Sequence, residues 1–123
     1  MPPILLVALG GALGSSARYG FGRAMLAAVP GAWPWGTFGV NLIGGLLMGA
    51  LSASIVRGIA AEPHRLLLGV GVLGGFTTFS SFSLEAAGLL SSGETARACA
   101  YIGTSVVGSI LALYAGAALV RVL

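Results

Sequence analysis

The sequence predicts an all-α membrane protein of four transmembrane helices. Three observations carry that prediction. Of the 123 residues, 57% are hydrophobic and only 7% charged, against roughly 25% charged in an ordinary soluble domain. A soluble core of this length would need a charged exterior, and six arginines with three glutamates do not supply one. The uncharged residues fall into four stretches, 1–17, 31–56, 66–84 and 98–120, each near or above the ~17 residues needed to cross hydrocarbon. Short turn-rich segments separate them.

In chain order, the expected helices cover about 3–22, 33–56, 65–90 and 96–121 of a single membrane domain. The first stretch lacks the basic n-region of a cleaved signal peptide and runs on into a glycine-patterned helix. Pro30-Gly31 and Trp33-Pro34-Trp35 form the first loop, with both tryptophans at the headgroup boundary. The segment from Arg57 to Arg65, with Glu62-Pro63, forms the second loop, and Ser91-Ser92-Gly93-Glu94 the third. Gly10-xxx-Gly14 and Gly45-xxx-Gly49 are small-residue ridges that let helix backbones approach closely in lipid.

Several function classes drop out. Arg18, Arg23, Arg57, Arg65, Arg97 and Arg121 stand singly at the edges of apolar runs and build no phosphate-binding stripe, so nucleic acid is not a partner. Cys99 is the single cysteine and reads as a small apolar helix residue. His64 is the single histidine, read as a loop residue with no second ligand at metal-binding spacing. Gly69 to Gly74 matches GxGxxG, but it lies inside an uncharged span and not between a strand and a helix, which removes the dinucleotide reading. No nucleophile and base pair points to an enzyme.

Four spans place both termini on one side. Arg57, Arg65 and Arg121 then face that side, and Arg18, Arg23 and Arg97 the other, so the arginine bias that orients membrane proteins is zero. Two outcomes stand: insertion both ways with antiparallel pairing of two copies, or a single orientation because one arginine at a helix end is not counted by the insertion machinery.

The chemistry concentrates in Gly74-Gly75-Phe76-Thr77-Thr78-Phe79-Ser80-Ser81-Phe82-Ser83, a polar and aromatic insert in the third span. Paired glycines followed by β-branched threonines lower helix propensity, so the third helix is expected to break over 74–83. Broken helices are where channels and transporters place ions. Hydroxyls, amides and ring edges without lysine suit a small, strongly hydrated anion. Phe79 and Phe82 share a helix face with Ser83 beside it. Hydroxyls that bond back to carbonyls and phenylalanines that simply pack give the structural alternative. Asn41 in the second span and the Tyr101–Ser105 stripe in the fourth bring polar groups from two more helices, as a pathway or as interhelical glue.

The runs Gly10-Gly11-xx-Gly14-xxx-Arg18-Tyr19 and Gly36-Thr37-xx-Val40-Asn41-xx-Gly44, and above all residues 74–83, resemble the CrcB/Fluc fluoride channels in order over nearly the whole chain. Ser81 stands where threonine is common and keeps the hydroxyl. The resemblance implies a dual-topology antiparallel homodimer in the inner (plasma) membrane, with two fluoride pores that export the anion passively. It implies pore-lining Phe79 and Phe82, donation to fluoride by Asn41, and a pathway that includes Thr78, Ser80, Ser81, Ser83, Tyr101 and Ser105. It further implies a structural Na⁺ held by the main-chain carbonyls of Gly74 and Thr77, an arrangement in keeping with a hard cation's preference for oxygen. Arg18 would raise local anion concentration near a vestibule, or snorkel to the interface.

The rival reading is a small proton-coupled efflux transporter of the same four-span size. It needs a membrane carboxylate, and within the first three spans only Glu85, beyond the polar insert, provides one. A membrane subunit whose polar groups serve only assembly is the third reading.

Overall fold

A computed structural model describes all residues from 1 to 123. Four helical spans are long and apolar enough to cross a membrane, Pro3–Ala28, Trp35–Val56, Glu62–Ser91 and Thr95–Arg121, and there is no strand. We call the first two α1 and α2 and the last α5. The third span is two pieces, α3 over 62–76 and α4 over Ser80–Ser91.

Helix α1 begins where Pro3, at the first helical position, needs no donor. It continues to Ala28, further than the expected end near 22, and carries Arg18 and Arg23 inside it. Arginine is a good helix former and its long stem can lead the charge away from lipid, so neither residue ends the helix. Pro30 does, by disfavouring helical geometry at Val29, whose φ of −132° is extended. Helix α2 starts directly after Pro34 and stops before Gly58, which turns the chain at φ +74°. In α3, Glu62–His64 is a single α-turn; Arg65–Leu73 is wound as a wider π-helix and Gly74–Phe76 returns to α. His64 therefore lies in the first turn of α3 and not in the loop, its Nδ1 accepting the Ala61 N–H at 3.0 Å. Glu62 and Arg65 pair across that turn at 2.6 and 2.8 Å.

Both small-residue ridges are packing surfaces. A Cβ on Gly10 or Gly14 would collide with the main chain of α3 at Leu67 or Val72, and one on Gly45 or Gly49 with that of α5 at Ser109 or Leu113. Helix α1 thus lies on α3, and α2 on α5, at backbone contact. Large apolar side chains such as Leu13, Leu111 and Leu119 point outward, and only 17 of 123 residues are buried, as expected of a surface solvated by lipid. The GxGxxG segment is helical throughout.

Candidate functional site

The helix breaks at Thr77, whose φ of −86° and ψ of 159° are extended, and resumes at Ser80. Breaking a membrane helix strips main-chain groups of partners, and their fate defines the site. The Thr78 N–H donates to Asn41 Oδ1 at 2.9 Å, and Asn41 Nδ2 donates to the Thr78 carbonyl at 3.0 Å. The Ser81 N–H donates to Thr78 Oγ1 at 3.1 Å, so the Thr78 hydroxyl satisfies a free N–H in the first turn of the new helix. These diversions leave the Gly74 and Thr77 carbonyls without a main-chain donor. The Gly75 carbonyl accepts instead from Arg18 Nε at 3.0 Å.

The hydroxyls divide into two groups. Thr77 Oγ1 donates to the Leu73 carbonyl at 2.8 Å and Ser83 Oγ to the Phe79 carbonyl at 2.9 Å, the back-bonding that short polar side chains favour in helices. Ser80 Oγ lies 3.3 Å from Thr78 Oγ1. Ser105 Oγ and the Tyr101 hydroxyl are buried and have no partner. Asn41 has one amide N–H left over after its exchange with Thr78.

A groove of about 440 Å³ runs along the break, lined among others by Asn41, Thr78, Phe79, Phe82, Ser105 and Ser109. It brings together residues of α2, the break, α4 and α5. Phe79 stands 76% exposed at its edge while Phe82 is buried at 7%, their rings 5.6 Å apart. From Phe82 the aromatic contacts continue to Tyr101 at 5.2 Å and from Tyr101 to Trp33 at 5.5 Å, so four rings form a ladder from the break to the first loop. Phe38 packs beside Trp33 at 5.6 Å. Thr37 donates to the Glu85 carboxylate near the same end.

Arg18 is absent from the groove's lining; its one resolved side-chain bond is to the break, from behind. Ser109, Thr37, Phe38 and Trp33 were not singled out as site residues by sequence. Ser109 follows Ser105 by one helical turn and extends the same stripe, a signal present in the spacing. Trp33 was hidden because a tryptophan beside proline at a loop reads as a headgroup anchor. No group of three or more histidine, cysteine or acidic side chains comes together.

A family model described as "CrcB-like protein, Camphor Resistance (CrcB)" matches residues 5–117. The chain belongs to the CrcB family. Among curated relatives, a "Fluoride-specific ion channel FluC" of Caulobacter sp. (strain K31) is 53% identical over 123 residues, covering 98% of this chain and 96% of the relative. Proteins of the same description from Rhizobium meliloti (strain 1021) and Hyphomonas neptunium (strain ATCC 15444) are 51% and 50% identical, over 98% and 94% of this chain and 98% and 93% of their own lengths. The broken helix and its aromatic ladder are therefore features of a CrcB-family chain that matches these relatives nearly end to end.

Proposed function

We propose that this CrcB-family protein is a fluoride-selective channel, and not an enzyme, that exports fluoride passively across the cell's inner membrane and lowers its cytoplasmic concentration. The observation that carries the proposal is the Phe79–Phe82 pair at a helix break pinned by Asn41, in a chain about half identical to proteins named as fluoride-specific channels.

Fluoride holds its water strongly, so the pathway must replace that water with donors of matched strength. The spare amide N–H of Asn41, the unpartnered hydroxyls of Ser105 and Tyr101, the hydroxyls of Thr78, Ser80 and Ser81, and the positive edges of Phe79 and Phe82 provide a sequence of such contacts. Each is neutral and individually weak, which keeps binding loose enough for release. Ser83, though its hydroxyl is committed to a carbonyl, stands with Phe79 and Phe82 on that face. Arg18 holds positive charge behind the break and raises the local anion concentration.

The assembly in this reading is an antiparallel homodimer of dual topology with two pores. The exposed Phe79 and the open groove favour a second copy as their cover, as does the even split of arginines between the two sides. Gly74 and Thr77 suit a structural Na⁺, because their carbonyl oxygens lack main-chain donors. When bound, the ion supplies positive charge that ties these carbonyls, from both copies, together. A single Glu85 already engaged by Thr37 gives the proton-coupled alternative little support.

In planar bilayers with a fluoride gradient and equal chloride on both sides, the reversal potential is expected at the fluoride equilibrium value. A reversal potential near zero, or no current from folded protein, would refute the proposal.

A further inference from the structure

Glu62 and Glu94 each pair with an arginine three residues on, and Glu85, the remaining acidic side chain, pairs with none. Glu85 lies half-buried within the third span. A carboxylate at that depth calls for a counter-charge, because desolvating it alone is costly. Thr37 donates to one of its oxygens, and the other has no donor in the protein. A negative charge beside a fluoride pathway repels the ion carried there, so the pathway itself does not explain this carboxylate.

Glu85 lines a cavity of about 500 Å³ between the end of α1, the first loop, the start of α2 and the end of α4. The space exists because side chains are missing from it: an added Cβ on Gly88, one turn after Glu85, or on Gly22 would meet nothing within 4 Å. No arginine lines the cavity. The indoles of Trp33 and Trp35, 5.9 Å apart, both line it. So do Gly31 and Ala32, whose carbonyls accept no main-chain hydrogen bond. Met25, Leu26, Val29 and Leu89 add apolar surface. A carboxylate, electron-rich rings and apolar side chains on one shared space are the chemistry that recognises an organic cation. A bare metal ion would ask for several more oxygens than one carboxylate brings.

We infer that the first-loop cavity is a docking site for a monovalent organic cation, an alkylguanidinium or alkylammonium. Its head pairs with the free oxygen of Glu85 beside the indoles, and its chain lies against Met25, Leu26, Val29 and Leu89. The cation docks and does not cross. On the inner side of Glu85 stand Thr37 and the Tyr101 hydroxyl, then the Phe82 ring packed on Tyr101 at 5.2 Å, with no second carboxylate to receive the charge. Because Tyr101 belongs to the proposed fluoride pathway, an occupant here plugs the first-loop mouth and slows fluoride. That consequence rests on the channel reading above; the binding site does not.

The test is calorimetric titration of the purified full-length protein with butylguanidinium and, separately, with butylurea, its neutral counterpart of similar shape. Butylguanidinium is expected to bind saturably, and butylurea about tenfold more weakly or worse, the scale of a hydrogen bond to a charged group. Both titrations use the unaltered protein, so they stand whatever a variant does to folding. Glu85→Gln should weaken butylguanidinium by a similar factor, and Gly88→Leu, which fills the open space and keeps the carboxylate, should abolish its binding. Equal affinity for the two compounds, no binding of butylguanidinium, or full affinity in folded Gly88→Leu would overturn the site. Butylguanidinium should also slow fluoride release from liposomes several-fold; binding without slowing would overturn the plug. Protein that binds the probe but carries no fluoride in its absence would refute the channel reading alone.

Discussion

Asn41 and Thr78 exchange two hydrogen bonds, at 3.0 and 2.9 Å, so one side-chain amide takes the place of both main-chain partners that Thr78 loses when the helix opens. The exchange explains why a break at membrane depth is tolerated. It also fixes the order of dependence along the chain: α2 supplies the amide, the amide holds the break, and the break orients Phe79 and Phe82.

Asn41→Asp would keep the acceptor for the Thr78 N–H and remove the donor to its carbonyl, placing a charge at the break. We expect loss of at least tenfold in fluoride flux and a stability loss of about 1–3 kcal/mol, the cost of a buried group left unsatisfied. Flux and thermal unfolding in detergent, measured on the same preparation, check both. Wild-type values for each would show that the amide is dispensable.

Phe79 and Phe82 meet at 5.6 Å but differ in exposure. Replacing either by isoleucine keeps apolar bulk and removes the ring edge. The account predicts a severe fall in fluoride flux from each substitution. Phe82→Ile also loosens the packing of Ala86, Ala98 and Tyr101 around it, visible as a lower unfolding temperature. Phe79→Ile should conduct poorly while unfolding near the wild-type temperature.

Arg18 donates to the Gly75 carbonyl from α1, at the end of α3 where the helix dipole is negative. Arg18→Gln removes the charge. Fluoride flux should drop several-fold at low ionic strength and less so at high salt, since screening weakens the field the arginine supplies. Equal losses at both salts would point to a role in packing alone.

Gly49 faces the Leu113 carbonyl and Gly14 that of Val72 at backbone contact. Gly49→Leu must push α2 away from α5, at a cost of roughly 1–3 kcal/mol or more. The expected outcome is aggregated protein on size exclusion, with Gly11→Ala, at a position with open space, as the tolerated control.

Exchange of sodium for a large organic cation during purification should lower activity and the unfolding temperature together, with recovery on adding sodium back. Activity indifferent to the exchange would remove the cation from the Gly74 and Thr77 carbonyls.

The spans and the presence of a break in the third were legible because their signals are local, uncharged runs of spanning length and a polar, β-branched insert; the break itself is narrower than the expected 74–83, covering 77–79 only, because Gly74–Phe76 and Ser80–Ser83 keep helical geometry. The glycine ridges were legible for the same reason. Partner choice was not. Nothing in the spacing says that Asn41 would satisfy the Thr78 main chain, or that Arg18 would reach Gly75, since each bond joins residues far apart in sequence. Helix α1 ran past its expected end because arginine in a span is easily taken as a boundary, while only Pro30 is one. Trp33 was assigned to the headgroups by composition, and only its contacts with Tyr101 and Phe38 turn it inward.

The most direct measurement is fluoride release from liposomes that contain only this protein, with a potassium ionophore supplying the counter-current and no pH gradient. A passive anion channel releases fluoride as soon as the ionophore is added, and releases no chloride under the same conditions. Release that depends on a proton gradient instead, or equal release of both anions, would contradict the account.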